Sequence, residues 1–166
     1  RRAHGERVVT IESMRLTIHR GGAAVPFELR REYTETAEGE PLAFESRQQM
    51  SGMDVRVTGE IEDGRIKLER QIGEMKQSDT VPYPEDALMP EGLRLLETEE
   101  GYEQGSNYTV KVFDIDSLSA MTLETKVGEM EPIDLLGTDV EARRIEMMIT
   151  VGGMKLPTTA HIREDA

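Results

Sequence analysis

Cysteine and tryptophan are absent from this chain, and the other aromatic residues are few. The missing thiol excludes disulfides, zinc–thiolate sites and cysteine nucleophiles in one step. With aromatics at 4% and hydrophobic residues at 37%, the interior has to be filled by aliphatic side chains and by the flexible thioethers of ten methionines. Long apolar runs are lacking as well, since no stretch approaches the roughly 20 residues that would span a bilayer as a helix. Nor is there a basic face. Acidic residues number 33 against 20 basic ones, for a formal net charge of −13, and the bases alternate with acids, as in Arg65, Lys67, Glu69 and Arg70. Phosphate backbones require clustered Lys and Arg, so nucleic acid is not an expected partner. A dispersed negative charge serves solubility.

Alternation is what the chain has in quantity. Met14, Leu16 and Ile18 alternate with polar residues up to Gly21-Gly22, and Val25, Phe27, Leu29 and Tyr33 continue beyond it. This is a hairpin with one apolar face. Leu42, Phe44, Ser46, Gln48 and Met50 follow, then Met53, Val55, Val57 and Ile61 after Ser51-Gly52. Asp63-Gly64, a pair that tolerates positive φ, turns the chain into Ile66, Leu68 and Ile72. The pattern returns at Tyr108, Val110 and Val112, at Met121, Leu123 and Val127, and along Val140 to Val151, with a parity change at Arg143-Arg144 that predicts a bulge or bend. Gly152-Gly153 then closes a last hairpin with Met154, Leu156, Thr158, Ala160 and Ile162.

Between Pro82 and Gly101 the spacing changes to three and four residues, through Leu88, Met89, Leu93, Leu95 and Leu96. One or two short helices are expected here, with a break near Met89 because Pro90 cannot lie inside a continuous helix. Leu88, Leu93 and Leu96 are expected to pack on the methionine-bearing face of the sheet. Residues 1–7 read as a polar leader or truncated end, and 8–166 as a single β domain.

Residues suited to catalysis are scarce. His4, His19 and His161 lie in the leader or near strand ends, without the nucleophile and orienting acid that a relay needs. Asp114 and Asp116 could share a hard cation, but no loop follows that would supply the further oxygens calcium requires, so an Asp-rich turn is the better reading. No cofactor, no metal and no enzymatic activity are expected. Asn107, the only asparagine, heads an Asn107-Tyr108-Thr109 acceptor motif, which matters only in a eukaryotic secreted protein; the excess of Arg over Lys fits a GC-rich bacterial genome instead. The methionines on apolar-face positions are more suggestive, because adaptable side chains can line an irregular cradle.

The order of features then adds a resemblance. Meander strands lead to a Pro-flanked helical stretch, to Gly101-Tyr102-Glu103-Gln104-Gly105-Ser106-Asn107-Tyr108 running into Val112-Phe113-Asp114, and to a long final strand pair. From about Val8 to Ile162 this resembles bacterial envelope domains of uncharacterised function that stand alone or precede transglutaminase-like domains, with a fold like that of the LolA-type lipoprotein carriers. The resemblance implies a mainly β fold: a strongly curved antiparallel sheet, a half-open barrel, with one or two short helices against its concave side. It also implies a location outside the cytoplasm, in the bacterial periplasm or cell envelope. Such domains are expected to carry a further strand before Val8, which Arg1 to Arg7 do not supply. Without cysteine, none of the transglutaminase-like activity carries over. The expected function is a non-catalytic module binding a lipid or other apolar ligand through Met14, Leu16, Met53, Leu93, Leu96, Met121 and Met147. The alternative is a protein-interaction or scaffold domain serving a neighbouring enzyme domain, with an envelope protein as partner.

Overall fold

Apolar–polar alternation commits a segment to a strand whose two faces differ, and each alternating segment named above is a strand. The computed structural model describes residues 2–4 and 7–163. Along these the order is β1 Arg2–His4, β2 Arg7–Arg20, β3 Ala23–Thr36, β4 Pro41–Met50, β5 Met53–Glu62, β6 Arg65–Ile72, β7 Met75–Pro82, β8 Ala87–Leu88, α1 Pro90–Glu100, β9 Asn107–Asp114, β10 Ser119–Leu135, β11 Thr138–Val151 and β12 Met154–Ile162. The chain is therefore mainly β with one short helix. Its strands fall into two sheets. The first is a meander of β1 to β7 in sequence order, and the second runs β12-β11-β10-β9-β8. All neighbours are antiparallel except β8 and β9.

Three strands have no alternation to announce them: β1, β7 and the two-residue β8, which lies in the segment with helical spacing. Residues 2–4 supply the strand that the sequence did not promise, with Arg2 opposite Val9 and His4 opposite Arg7. The polar run from Met75 becomes β7 because a turn at Gly73, φ 58°, folds it back along β6 with Met75 opposite Ile72. The parity change at Arg143-Arg144 coincides with a register shift, but β10 holds the extra residue: Val127 faces Ile145 while Met130 faces Arg143.

Pro90 opens the helix instead of interrupting it, since the first turn needs no N–H from that position. Leu88 consequently belongs to β8 and not to the helix. No flanking side chain caps the helix start. Glu35, far back on β3, does so: its Oε2 accepts the Glu91 N–H at 2.7 Å and its Oε1 accepts the Gly92 N–H at 2.9 Å. The β3–β4 turn can approach this closely because neither partner has a side chain. A Cβ on Gly39, which also holds φ 83°, would lie 2.6 Å from the Gly92 Cα.

The core lies where the first sheet meets the chain around β8 and the end of β9. Tyr33, Phe44, Ile66 and Leu68 of the first sheet pack with Ala87, Met89, Phe113 and Ile115. Phe44 lies across Gly59, where any Cβ would collide with the ring and come within 2.8 Å of Ile66 Cγ2. Met89 is the methionine that reaches full burial among the described residues.

Candidate functional site

Directly paired residues of an antiparallel sheet project to the same side, so the register sorts the inner face of the first sheet into rows. Nearest the core, Tyr33, Phe44, Gly59 and Leu68 line up across β3 to β6. The next row is largely polar: Glu12, Arg31, Ser46, Val57, Arg70 and Gln77. Beyond it the face turns apolar again. Met14, Leu29, Gln48, Val55, Ile72 and Met75 cross all six strands from β2 to β7, followed by Leu16, Phe27, Met50 and Met53, and then by Ile18 with Val25.

These outer rows are apolar apart from Gln48, yet most of them are left to solvent, with Val25, Phe27, Leu29 and Val55 half-buried. Met53 is 58% exposed and Met75 is 72% exposed, and Met14, Leu16, Ile18, Met50 and Ile72 are exposed as well. Five inter-strand gaps and two row spacings make this roughly 24 Å by 14 Å, on the order of 300 Å² of projected sheet. Contiguous patches of that size on monomers are commonly functional. The opposite face is different in kind. There Arg30, Arg47 and Arg56 form one cross-strand row, and acidic residues neutralise it: Glu32 lies 2.8 Å from Arg30, and Glu45 pairs with both Arg56, at 2.7 Å, and Arg47. Burial of Glu45 opposes its ionisation, but the bonds from Arg56 and Arg47 hold its carboxyl below the usual range.

The β9–β10 turn marks where the covered and bare halves meet. Asp116 of this turn accepts a hydrogen bond from Arg31 Nη2, from Ser46 Oγ at 3.3 Å and from Gln48 Nε2 at 3.0 Å. Glu12 adds a second carboxylate 3.6 Å from Arg31. Asp114 has another task, accepting the Ser117 N–H at 3.1 Å and the Ser117 hydroxyl at 2.5 Å to shape the turn. The two aspartates thus serve different partners. Among the described residues no three His, Asp or Glu side chains are grouped to hold a metal ion. Burial and the charge of Glu12 push the Tyr33 phenol up, so it stays protonated at neutral pH. Asp116→Ala should cost about 1–2 kcal/mol in a urea titration, a charged hydrogen-bond set discounted for its partial exposure, and Asp114→Ala less. Equal losses would contradict the division of roles.

Of the residues singled out from the sequence, Met14, Leu16 and Met53 lie on the bare apolar face. Leu93 and Leu96 do not lie over them. They are half-buried on α1, which Glu35 anchors at the other end of β3, six residues or about 20 Å from Leu29. Met121 and Met147 belong to the second sheet, Met121 opposite Val112 and Met147 between Thr125 and Thr158. The seven therefore occupy three places. Phe27, Leu29, Met50, Val55 and Ile72 complete the face; their alternation was readable, but their shared row was not. Met75 sits in a polar run that gave no signal. His161 Nε2 lies 2.7 Å from Glu131 Oε1, His19 is exposed at the end of β2, and the side chain of His4 lies outside the described residues.

No protein-family model matches the chain, and no curated protein matches it. A solved structure does: the crystal structure of a β-barrel-like protein of the domain of unknown function DUF1849 from Brucella abortus, with a TM-score of 0.59 and 11% identity over 93% of this chain and 70% of that one. The fold is barrel-like. At this identity the likeness concerns architecture alone, and it indicates no catalytic family.

Proposed function

We propose that this chain is a non-catalytic binding module whose bare apolar face takes a lipid or other apolar ligand, and that it works outside the cytoplasm, in the bacterial envelope. The observation that carries the reading is the division of one sheet face: the same alternation that builds the core continues past the Asp116 contact onto rows that nothing covers. Burying apolar surface is worth roughly 25 cal/mol per Å², so an acyl chain laid along Met14, Leu29, Val55 and Ile72 would gain several kcal/mol before its ordering costs. The resemblance to lipoprotein carriers supports the same reading, and the barrel-like neighbour agrees with it in architecture alone. The location rests on that resemblance.

Titration with the neutral fluorophore N-phenylnaphthylamine tests it, alongside native mass spectrometry of protein purified from its own host. Met53→Glu and Leu16→Glu should each weaken probe binding about tenfold, since a carboxylate in the apolar row costs at least one hydrophobic contact plus its desolvation. Leu93→Ala should leave binding unchanged. Probe affinity indifferent to Met53→Glu and Leu16→Glu, or weakened by Leu93→Ala instead, would overturn the assignment of this face. The alternative, a protein-interaction module, draws on β7, an edge strand exposed along nearly all its length. Recovery of a stoichiometric envelope protein, lost in Met53→Glu, would favour it.

A further inference from the structure

We infer that the ligand of the apolar face is an anionic amphiphile, with its carboxylate or equivalent acidic head held by Arg70 and its chain lying over Ile72, Val55 and Met75. The inference rests on the proposed apolar site and deepens it. Few ionisable side chains reach the inner face of the first sheet, and among the described ones those other than Arg70 are accounted for. Glu35 caps α1, Glu12 and Arg31 meet each other and Asp116, and Asp79 accepts the neighbouring Thr80 N–H at 2.7 Å. Arg70 is exposed and has no ion-pair or hydrogen-bond partner among the described residues.

Its position is what makes the lone cation informative. Arg70 shares the polar row, directly opposite Gln77 on β7 and Val57 on β5, and Ile72 two residues on begins the bare apolar rows. A guanidinium and an amide facing one another across neighbouring strands are close enough to share one carboxylate. On the other face of this sheet several cations are neutralised in place, Arg15 by Glu28 at 3.4 Å, Lys67 by Glu62 at 2.6 Å and Lys76 by Glu69 at 3.5 Å, while Arg7 and Arg65 stand there without a partner among the described residues but far from the apolar rows. Arg70 instead stands uncompensated at the foot of an apolar surface, in a chain of net charge −13. The overall negative charge does not forbid an anion here, because screening confines charge effects to about 10 Å at moderate salt. A neutral ligand would leave the guanidinium with only water, whereas an acidic head turns it into an anchor that also fixes which way the chain runs.

Calorimetric titration of the whole chain with dodecanoate and with methyl dodecanoate, both below micelle formation, tests the assignment. Dodecanoate should bind about tenfold more tightly than the ester, as expected for one charge-assisted hydrogen-bond pair. Arg70→Gln should remove that preference while leaving ester affinity intact, and Arg70→Lys should keep most of it. Circular dichroism melting of each variant shows that the fold survives. Equal affinity for acid and ester in the unsubstituted chain would overturn the acidic head while leaving the apolar site standing. An acid preference that persists in Arg70→Gln would overturn the assignment to Arg70. No binding of either compound would refute the apolar site itself, and this inference with it.

Discussion

Replacing Glu35 by alanine should destabilise the protein by roughly 3–5 kcal/mol, because two buried N–H groups at the start of α1 lose their acceptor and a buried side chain leaves a void. Glu35 is 0% exposed, and Met89, at the N-cap position, offers no side-chain bond in its place. Glu35→Gln should cost less, since an amide oxygen still accepts one of the two. Urea unfolding of both variants checks the order. The pH dependence of the difference is a sharper test. Burial raises the Glu35 pKa above the ordinary carboxylate value, the Gly92 and Glu91 N–H bonds oppose it, and the charge of Glu91 adds to the rise. The native state then binds the proton more tightly than the unfolded chain does. Stability contributed by this group is present below the ordinary pKa and is lost as pH rises through the raised one. Acidification from neutral towards pH of about 4.5 should therefore move the stability gap in favour of the unsubstituted protein over Glu35→Gln. A gap that is flat or moves the other way would show that the carboxylate is comfortable as an anion.

Phe113→Ala should cost a comparable amount, roughly 3–5 kcal/mol. Its ring lies 5.4 Å from that of Phe44 and 4.9 Å from that of Tyr83, both in tilted arrangements, and it is the large side chain by which the end of β9 enters the core of the first sheet. Losing it detaches the two sheets where they meet. Met53→Ala, by contrast, should change stability by no more than about 0.5 kcal/mol, because its side chain already faces water. The contrast is the useful part. Met53 sits in the apolar alternation of its strand, whereas Phe113 lies on the face of β9 opposite to Tyr108, Val110 and Val112, and only Phe113 is predicted to matter for folding. A large loss in Met53→Ala would mean that the apolar rows are covered in solution, most simply by a second copy, and sedimentation would then show association that the substitution abolishes.

The candidate face was half legible in the sequence. Met14, Leu16 and Met53 were identifiable because each alternates with polar neighbours on its own strand. What failed was the step from strand to site. Leu93 and Leu96 have helical spacing and do lie on a helix, but a helix can be set down at either end of a sheet, and the bond that fixes it joins residues 56 positions apart. Met121 and Met147 alternate as well as Met14 does, on strands that pair in another sheet. Arg70 was read as one more base in a charged run. Its distinction is that its directly paired neighbours on the same face are Val57 and Gln77, with Ile72 two residues on and Asp79 only diagonal to it, while Glu69, the acid adjacent in sequence, points away.

By itself, then, the sequence determined the local conformations and the chemistry that is excluded. Period-two alternation and Gly-bearing turns act over a few residues, so they specify strands and hairpins wherever they occur, and the lack of cysteine needs no fold to interpret. The tertiary structure decided which alternating faces are core and which are bare. Both kinds present the same residue types at the same spacing, and only the register across six strands, with Asp116 brought back onto Arg31, Ser46 and Gln48, determines where coverage stops. That boundary depends on partners tens of residues away in the chain, which no local pattern records.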